Sequence, residues 1–286
     1  MEYVTEEASP AGESRPCILR FENVTLRFDD EDKALDGVSF ALYEGDTSVV
    51  LGAAGSGKTV LLKTALGLLH PDEGRVCLFG QDISQMSEAG LVDVRAKIGI
   101  LFQEGGLFDS LTIEENVGYP LLNQRAVRCE AEEVRPRVED SLRFVELGHT
   151  LEKFPSELSG GMRRRVGIAR ANVTKPPLVL YDSPTAGLDP ITANTIMVLI
   201  IKARDTQNTT TVMATHRYQN GHLLANYRYN AGTGSLERSP MEETGGARRT
   251  KFLVMRDGRL VFEGKQADLE QSADPYVQKF VKQLND

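Results

Sequence analysis

Apolar positions recur along this chain in two rhythms, one of period two and one near 3.6. Short β-type runs cover Ile18–Phe21, Gly37–Leu42 and Thr47–Leu51, and the last is apolar enough for a buried central strand. Lys58–Leu69 has helical spacing, which Pro and Gly break across His70–Gly74. Arg75–Phe79 and Ile98–Phe102 read as strands. From about 104 to 173 the pattern is helical, with charged stretches such as Glu130–Glu146, and predicts a separate helical lobe. Leu178–Tyr181 and Thr210–Met213 return to buried-strand character around a helix at Thr192–Ala203. The alternation predicts an α/β fold with a largely parallel sheet.

The flanks read differently. Residues 1–15 are acidic and polar and read as a disordered tail, leaving one globular domain over about 16–268. The Gly/Ser/Glu-rich stretch 231–250 reads as a polar insertion, disordered rather than structured. Lys251–Val261 predicts a hairpin turning at Asp257-Gly258. The segment 269–286 predicts a helical tail with Tyr276, Val277, Phe280, Val281 and Leu284 on one face. That face packs either on its own domain or on another subunit.

Composition narrows the function classes. The 286 residues suffice for one substantial α/β domain, and 41% hydrophobic with 26% charged residues is ordinary for a soluble fold. A formal net charge of -8 argues against nucleic acid as partner, so Arg163–Arg165 is expected to be a solvated helix face. The N-terminus has no signal-peptide pattern. The most apolar run, Ile196–Ile201, is far shorter than the roughly 20 residues a membrane helix needs. A membrane role must then come through a partner. Cys17, Cys77 and Cys129 have no metal-ligand spacing and read as reduced thiols.

The chemistry begins at Gly52-Ala53-Ala54-Gly55-Ser56-Gly57-Lys58-Thr59, which fits the phosphate-loop pattern between an apolar strand and a helix. Glycines let backbone N–H groups turn toward phosphate oxygens, and the helix N-terminus adds its positive end. Lys58 supplies a point charge, and the Thr59 hydroxyl can ligate Mg²⁺. Leu178-Val-Leu-Tyr-Asp182 ends an apolar strand in a carboxylate suited to hold the same ion. Leu158-Ser159-Gly160-Gly161-Met162 precedes a basic helix, for which Ser159 is also an ordinary N-cap. Gln103 follows a strand, Gly187-Leu-Asp189-Pro190 follows Asp182, and His216 follows another strand.

In this order the motifs resemble the ABC ATPase family: Walker A, Q-loop, signature, Walker B, D-loop and switch histidine. The resemblance runs from about residue 17 to 270. It implies a P-loop NTPase with a mixed central sheet, an N-terminal antiparallel β-subdomain and a helical signature lobe. It also implies ATP and Mg²⁺ as cofactors. Gly52 through Val60 would bind the nucleotide, and Thr59, Gln103 and Asp182 would hold the metal. Lys58, Gln103 and His216 would act at the chemical step. Two subunits would meet head to tail, so that Ser159, Gly160 and Gly161 of one reach the γ-phosphate on the other. Phe28 would stack on adenine, or else sit in the core as a strand-end aromatic.

Leu101-Phe-Gln-Glu-Gly-Gly-Leu-Phe108, Glu115-Asn-Val-Gly-Tyr-Pro120, Pro155–Met162, Pro190-Ile-Thr192 and Asp274-Pro-x-Val277-x-x-Phe280 are similar to the Mla/Mce-type lipid-transport ATPases. This finer resemblance implies membrane permease subunits, an Mce-type lipid-binding partner and a second ATPase subunit, identical or not. It places the chain on the cytoplasmic face of the membrane. The rival is a soluble ABC switch protein without a permease. Such proteins carry two modules or a long coiled-coil insertion, whereas this chain has one P-loop and no sustained heptads.

One position departs from the family. A glutamate that polarises the attacking water is expected after Asp182, and Ser183 stands there. Serine cannot take a proton at neutral pH, and losing a positioned base costs about 10²–10⁴ in rate. Binding does not depend on position 183. Slow hydrolysis through another group, pairing with a competent ATPase subunit, a cycle driven by binding alone, and a substitution that traps ATP all fit. Arg217 also stands where the family commonly has an acidic residue.

Overall fold

The computed structural model describes residues 15–28, 32–124, 127, 129–238 and 249–282. The first half runs β1 (Cys17–Phe28), β2 (Asp32–Tyr43), β3 (Thr47–Gly52), α1 (Lys58–Ala65), β4 (Glu73–Leu78), β5 (Gln81–Asp82), α2 (Glu88–Arg95) and β6 (Ile98–Leu101). The helical lobe follows as α3 (Ile113–Asn123), α4 (Ala131–Phe144) and α5 (Gly160–Asn172). Then come β7 (Leu178–Asp182), α6 (Pro190–Gln207), β8 (Thr210–Thr215), α7 (Tyr218–Asn226), β9 (Tyr227–Asn230) and β10 (Ser235–Arg238). The chain continues through β11 (Thr250–Arg256), β12 (Arg259–Gly264), α8 (Gln266–Glu270) and α9 (Pro275–Lys282).

The central sheet has the order β12-β11-β3-β8-β7-β6 and is parallel except for β12, which pairs antiparallel with β11. Its apolar runs are continuous because both faces are covered. Val49, Leu51, Tyr181, Met213 and Phe252 join the core under α3–α7 and the C-terminal helices. The intervening Val50, Leu180, Val212 and Leu253 join a second core with α1 and the antiparallel sheet β2-β1-β4-β5. Alternation along each strand thus feeds two cores, and both the mixed sheet and the antiparallel subdomain match expectation.

Local differences have local causes. The first helix ends at Ala65 rather than Leu69, because Gly67 takes φ +63° and the Gly67 and Leu68 amides donate back to Thr64 and Lys63. Helix α6 starts two residues early, with Pro190 in its first turn and Asp189 accepting from the Ile191 and Thr192 amides. The polar stretch after 230 is a correction in part. Ser235–Arg238 pairs antiparallel with Tyr227–Asn230, and the Asn230 side chain accepts from the Gly232 amide to shape the turn. Residues 239–248 of that stretch, and 1–14 of the expected tail, lie outside the described residues.

Arg163–Arg165 is not a solvated face. Arg164 is buried and donates to the Ala186 carbonyl, while Arg163 and Arg165 donate to the Leu158 and Val145 carbonyls. Each ties the signature helix to a neighbouring segment, which a charge count along the sequence cannot reveal. The C-terminal stripe packs on its own chain: Val277 and Phe280 are buried in the core that includes Leu269, and Leu284 lies outside the described residues.

Candidate functional site

Parallel strands put their carboxyl ends on one edge, and ligands of α/β sheets bind outside that edge. The register sets Met255 beside Gly52, Leu51 beside Thr215, Ala214 beside Asp182, and Tyr181 beside Leu101. Each candidate loop therefore leaves the sheet at the same level. Between them opens a cleft of about 670 Å³ whose walls include Phe28, Ala54, Gly55, Gly57 through Val60, Gln103, Ser183 and His216.

The phosphate corner is built from backbone. Gly55 and Gly57 take φ +78° and +99°, and a Cβ on Gly57 would stand 2.6 Å from the Ala34 carbonyl oxygen. Helix α1 begins at Lys58 with no side chain capping its N-terminus, so its first amides face the cleft end. The Lys58 ammonium is buried and donates to the carbonyls of Gly52 at 2.8 Å and Ala53 at 2.7 Å. Burial lowers its pKa, and the nearby Asp182 charge opposes that shift.

Asp182 is 2% exposed, and both its oxygens are engaged. Oδ2 accepts from Thr59 Oγ1 at 2.8 Å and Oδ1 accepts from Ser183 Oγ at 3.1 Å. A hydroxyl and a carboxylate in contact beside a phosphate loop form the hard oxygen pair that Mg²⁺ takes together with substrate phosphates. The residues present therefore fit a magnesium–nucleotide complex.

Ser183 sits at φ +48°, held there by its amide on the Ala214 carbonyl at 2.8 Å. Gln103 and His216 are exposed on the same walls. Partial burial, then the charges of Arg217 and Lys58, lower the His216 pKa from its ordinary value and so favour the neutral ring. Phe28 is 46% exposed at the end of β1 and lines the cleft, which removes the core reading of this residue. Ser159 and Gly160 are exposed and Gly161 is half-buried, and none of the three lines this cleft. Ser159 does cap α5, accepting from the Met162 amide, and Gly161 packs so closely on α6 that a Cβ would stand 2.5 Å from Thr192 Cγ2.

Three residues escape motif reading. Asn220 donates to the Thr185 and Thr215 hydroxyls, joining the loops that carry Ser183 and His216. Arg164 holds the Ala186 carbonyl. The Tyr276 hydroxyl reaches the Ala53 amide. Only the tertiary fold brings these partners together, so no local pattern signals them.

The fold and cleft define a phosphate-loop nucleotide-binding domain with a helical lobe inserted after the Gln103 strand. A family model described as ABC transporter matches residues 35–186, and this chain belongs to that family. It is 30% identical over 269 residues to the intermembrane phospholipid transport system ATP-binding protein MlaF of Haemophilus influenzae, covering 94% of this chain and 92% of that protein. It is 41% identical over 202 residues to the methionine import ATP-binding protein MetN 2 of Rhodococcus jostii, covering 70% and 58%. A third relative, 38% identical over 181 residues, is the probable ribonucleotide transport ATP-binding protein mkl of Mycobacterium leprae, with 63% and 52% covered. The chain thus spans about half the length of several curated relatives it matches. Among solved structures, the post-hydrolysis dimer of the ATP-binding cassette MJ0796 with ADP and Pi superposes with TM-score 0.70 at 30% identity, covering 87% of this chain and 98% of that one.

Proposed function

We propose that this chain is the energy-coupling ATPase subunit of an ABC transporter, binding MgATP in the cleft between Lys58, Thr59 and Asp182. The observation that carries the reading is the Thr59–Asp182 pair beside the buried Lys58 ammonium. Bound Mg²⁺ would neutralise phosphate charge. The chain's own residues position the substrate: the loop amides and Lys58 hold the β- and γ-phosphates, Phe28 carries the base, and Gln103 and His216 face the γ-phosphate. Lys58→Ala tests the reading. Titration with a fluorescent ATP analogue should show a loss of affinity, and an unchanged affinity would overturn it.

The site is completed by a second subunit. Ser159, Gly160 and Gly161 stand outside their own cleft with α5 opening behind them, which supports a role on the partner's nucleotide. MgATP should drive a two-fold dimer in sedimentation. Ser159→Arg should block closure by placing a bulky charge at the γ-phosphate, and a mutant that still dimerises would refute the composite site.

We infer further that the cargo is lipid and that the partners are a permease and an Mce-type lipid-binding protein at the cytoplasmic face of the membrane. The match to MlaF over 94% of this chain supports this over the shorter matches to the methionine import and ribonucleotide transport proteins. No helix among the described residues is long and apolar enough to cross a membrane. The exposed aromatic pair Phe108–Tyr119, beside exposed Leu122 and close after Gln103, offers apolar surface for a permease. Purification of the complex from membranes tests the cargo: co-purifying lipid-binding and permease subunits support it, and a methionine or nucleotide permease instead would overturn it.

Ser183 limits the chemistry. The isolated chain binds MgATP and hydrolyses it slowly, because no carboxylate occupies the position next to Asp182.

A further inference from the structure

The C-terminal helices connect two walls of the cleft from behind. The Tyr276 hydroxyl accepts from the Ala53 amide at 3.2 Å and donates to the Met255 carbonyl at 3.0 Å. Ala53 is the second residue of the phosphate loop, and its carbonyl is a 2.7 Å acceptor of the Lys58 ammonium. A turn of the Ala53 peptide would therefore move both the loop and the charge that serves the phosphates.

Tyr276 is itself held. Its ring lies 5.3 Å from the Arg256 guanidinium and 5.4 Å, edge-on, from Phe280, and its amide donates to Asp274. The buried Val277 and Phe280 anchor α9, which keeps the Tyr276 backbone in place opposite Ala53.

The other end of the segment grips α7. Gln278 Nε2 on α9 donates to the Glu270 and Ser272 carbonyls, which fixes α9 on α8. The Glu270 carboxylate accepts from the Tyr218 hydroxyl at 2.5 Å. Gln266, one turn earlier on α8, meets His222 Nδ1 at 3.0 Å and accepts from Asn226 at 2.8 Å. Tyr218 is fully buried and opens α7 two residues after His216.

We propose that residues 266–282 form a brace that fixes the phosphate loop and His216 relative to one another, with Tyr276 and Tyr218 as positioning residues at its two ends. The brace rests on the MgATP reading of the cleft. Neither tyrosine touches the nucleotide; each acts through a neighbour, Tyr276 on Ala53 and Lys58, Tyr218 on the helix behind His216.

The test uses the full chain with Tyr276→Phe, Tyr218→Phe and the double variant. Each Phe keeps the ring contacts and removes one hydroxyl, so melting temperature should move by no more than about 3 °C. Tyr276→Phe should weaken MgATP binding about fivefold, the size of one net hydrogen bond. In a Ser183→Glu background, where turnover is measurable, Tyr218→Phe should lower kcat several-fold with little change in KM. In that background kcat/KM is read for all three variants. The double variant should lose less than the product of the single losses, because both hydroxyls act through one segment. Unchanged affinity in Tyr276→Phe with a lowered melting temperature would reduce the contact to packing and overturn the brace. Losses that multiply independently would also overturn it. A wild-type chain that binds no MgATP would instead overturn the reading of the cleft, and the brace with it.

Discussion

The phosphate corner of the cleft and the corner beyond Asp182 share one sheet edge but differ in construction. At the first, Lys58 is buried among loop carbonyls, Thr59 is paired with Asp182, and glycine conformations fix the curl. At the second, Gln103 and His216 stand exposed, and the Ser183 hydroxyl turns back onto Asp182. Besides the buried Asp182, the carboxylate among the described residues lining the cleft is Asp257, beside Gly258, which packs on the Lys33 and Ala34 carbonyls. On the proposed reading, binding would rest on many backbone groups and hydrolysis on the single position that Ser183 fills, so such a chain would lose rate and keep affinity.

Ser183→Glu breaks the contrast most strongly. Steady-state assays should show kcat rising by about 10²–10⁴ with little change in KM, as when a transition-state interaction is restored. The mirror experiment is Lys58→Ala. It removes charge-assisted hydrogen bonds at the phosphate corner, and equilibrium titration should show MgATP affinity falling roughly 10- to 100-fold.

A smaller effect separates the corners by pH. Burial, with Arg217 and Lys58, holds the folded pKa of His216 below its unfolded value, and burial does the same for His222. The unfolded chain then takes up protons first, so stability falls as pH drops below the ordinary histidine value near 6.5. His216→Ala should flatten part of the decline in melting temperature between pH 7 and 5.5, and leave the part due to His222. A decline equally steep in the variant would count against this assignment. The smallest effect lies away from the cleft. Thr112 caps α3 in a reciprocal box with Glu115, so Thr112→Ala should cost about 1 kcal/mol in denaturant melts and leave MgATP affinity unchanged.

What could be read in the sequence follows from how local each signal is. The phosphate loop, the Asp182 strand and the two-sided sheet are written in short runs of glycine and apolar residues, and the structure assembles them as expected. Arg163–Arg165 of α5, of which Arg164 is buried, reads as a solvated face in the sequence because the carbonyls these side chains bind belong to neighbouring segments. The turn after Asn230 is not legible in the sequence because side-chain hydrogen bonds centred on Asn230 organise a stretch whose composition reads as disorder. The contact from Tyr276 to Ala53 joins positions 223 residues apart, and nothing near either residue announces it. Exposure of Phe28 decided a question the sequence had left open, since a strand-end aromatic carries the same letter in a core or on a cleft wall.

The contrast between the corners is tested most directly by the fate of bound nucleotide. The isolated wild-type chain is mixed with limiting MgATP, quenched at intervals, and its nucleotide separated. ATP should be bound at near-stoichiometric level and still largely intact after minutes. Conversion to ADP within about a second, at the roughly 1–10 s⁻¹ of ordinary enzymes, would contradict it and show that the corner beyond Asp182 works without its carboxylate.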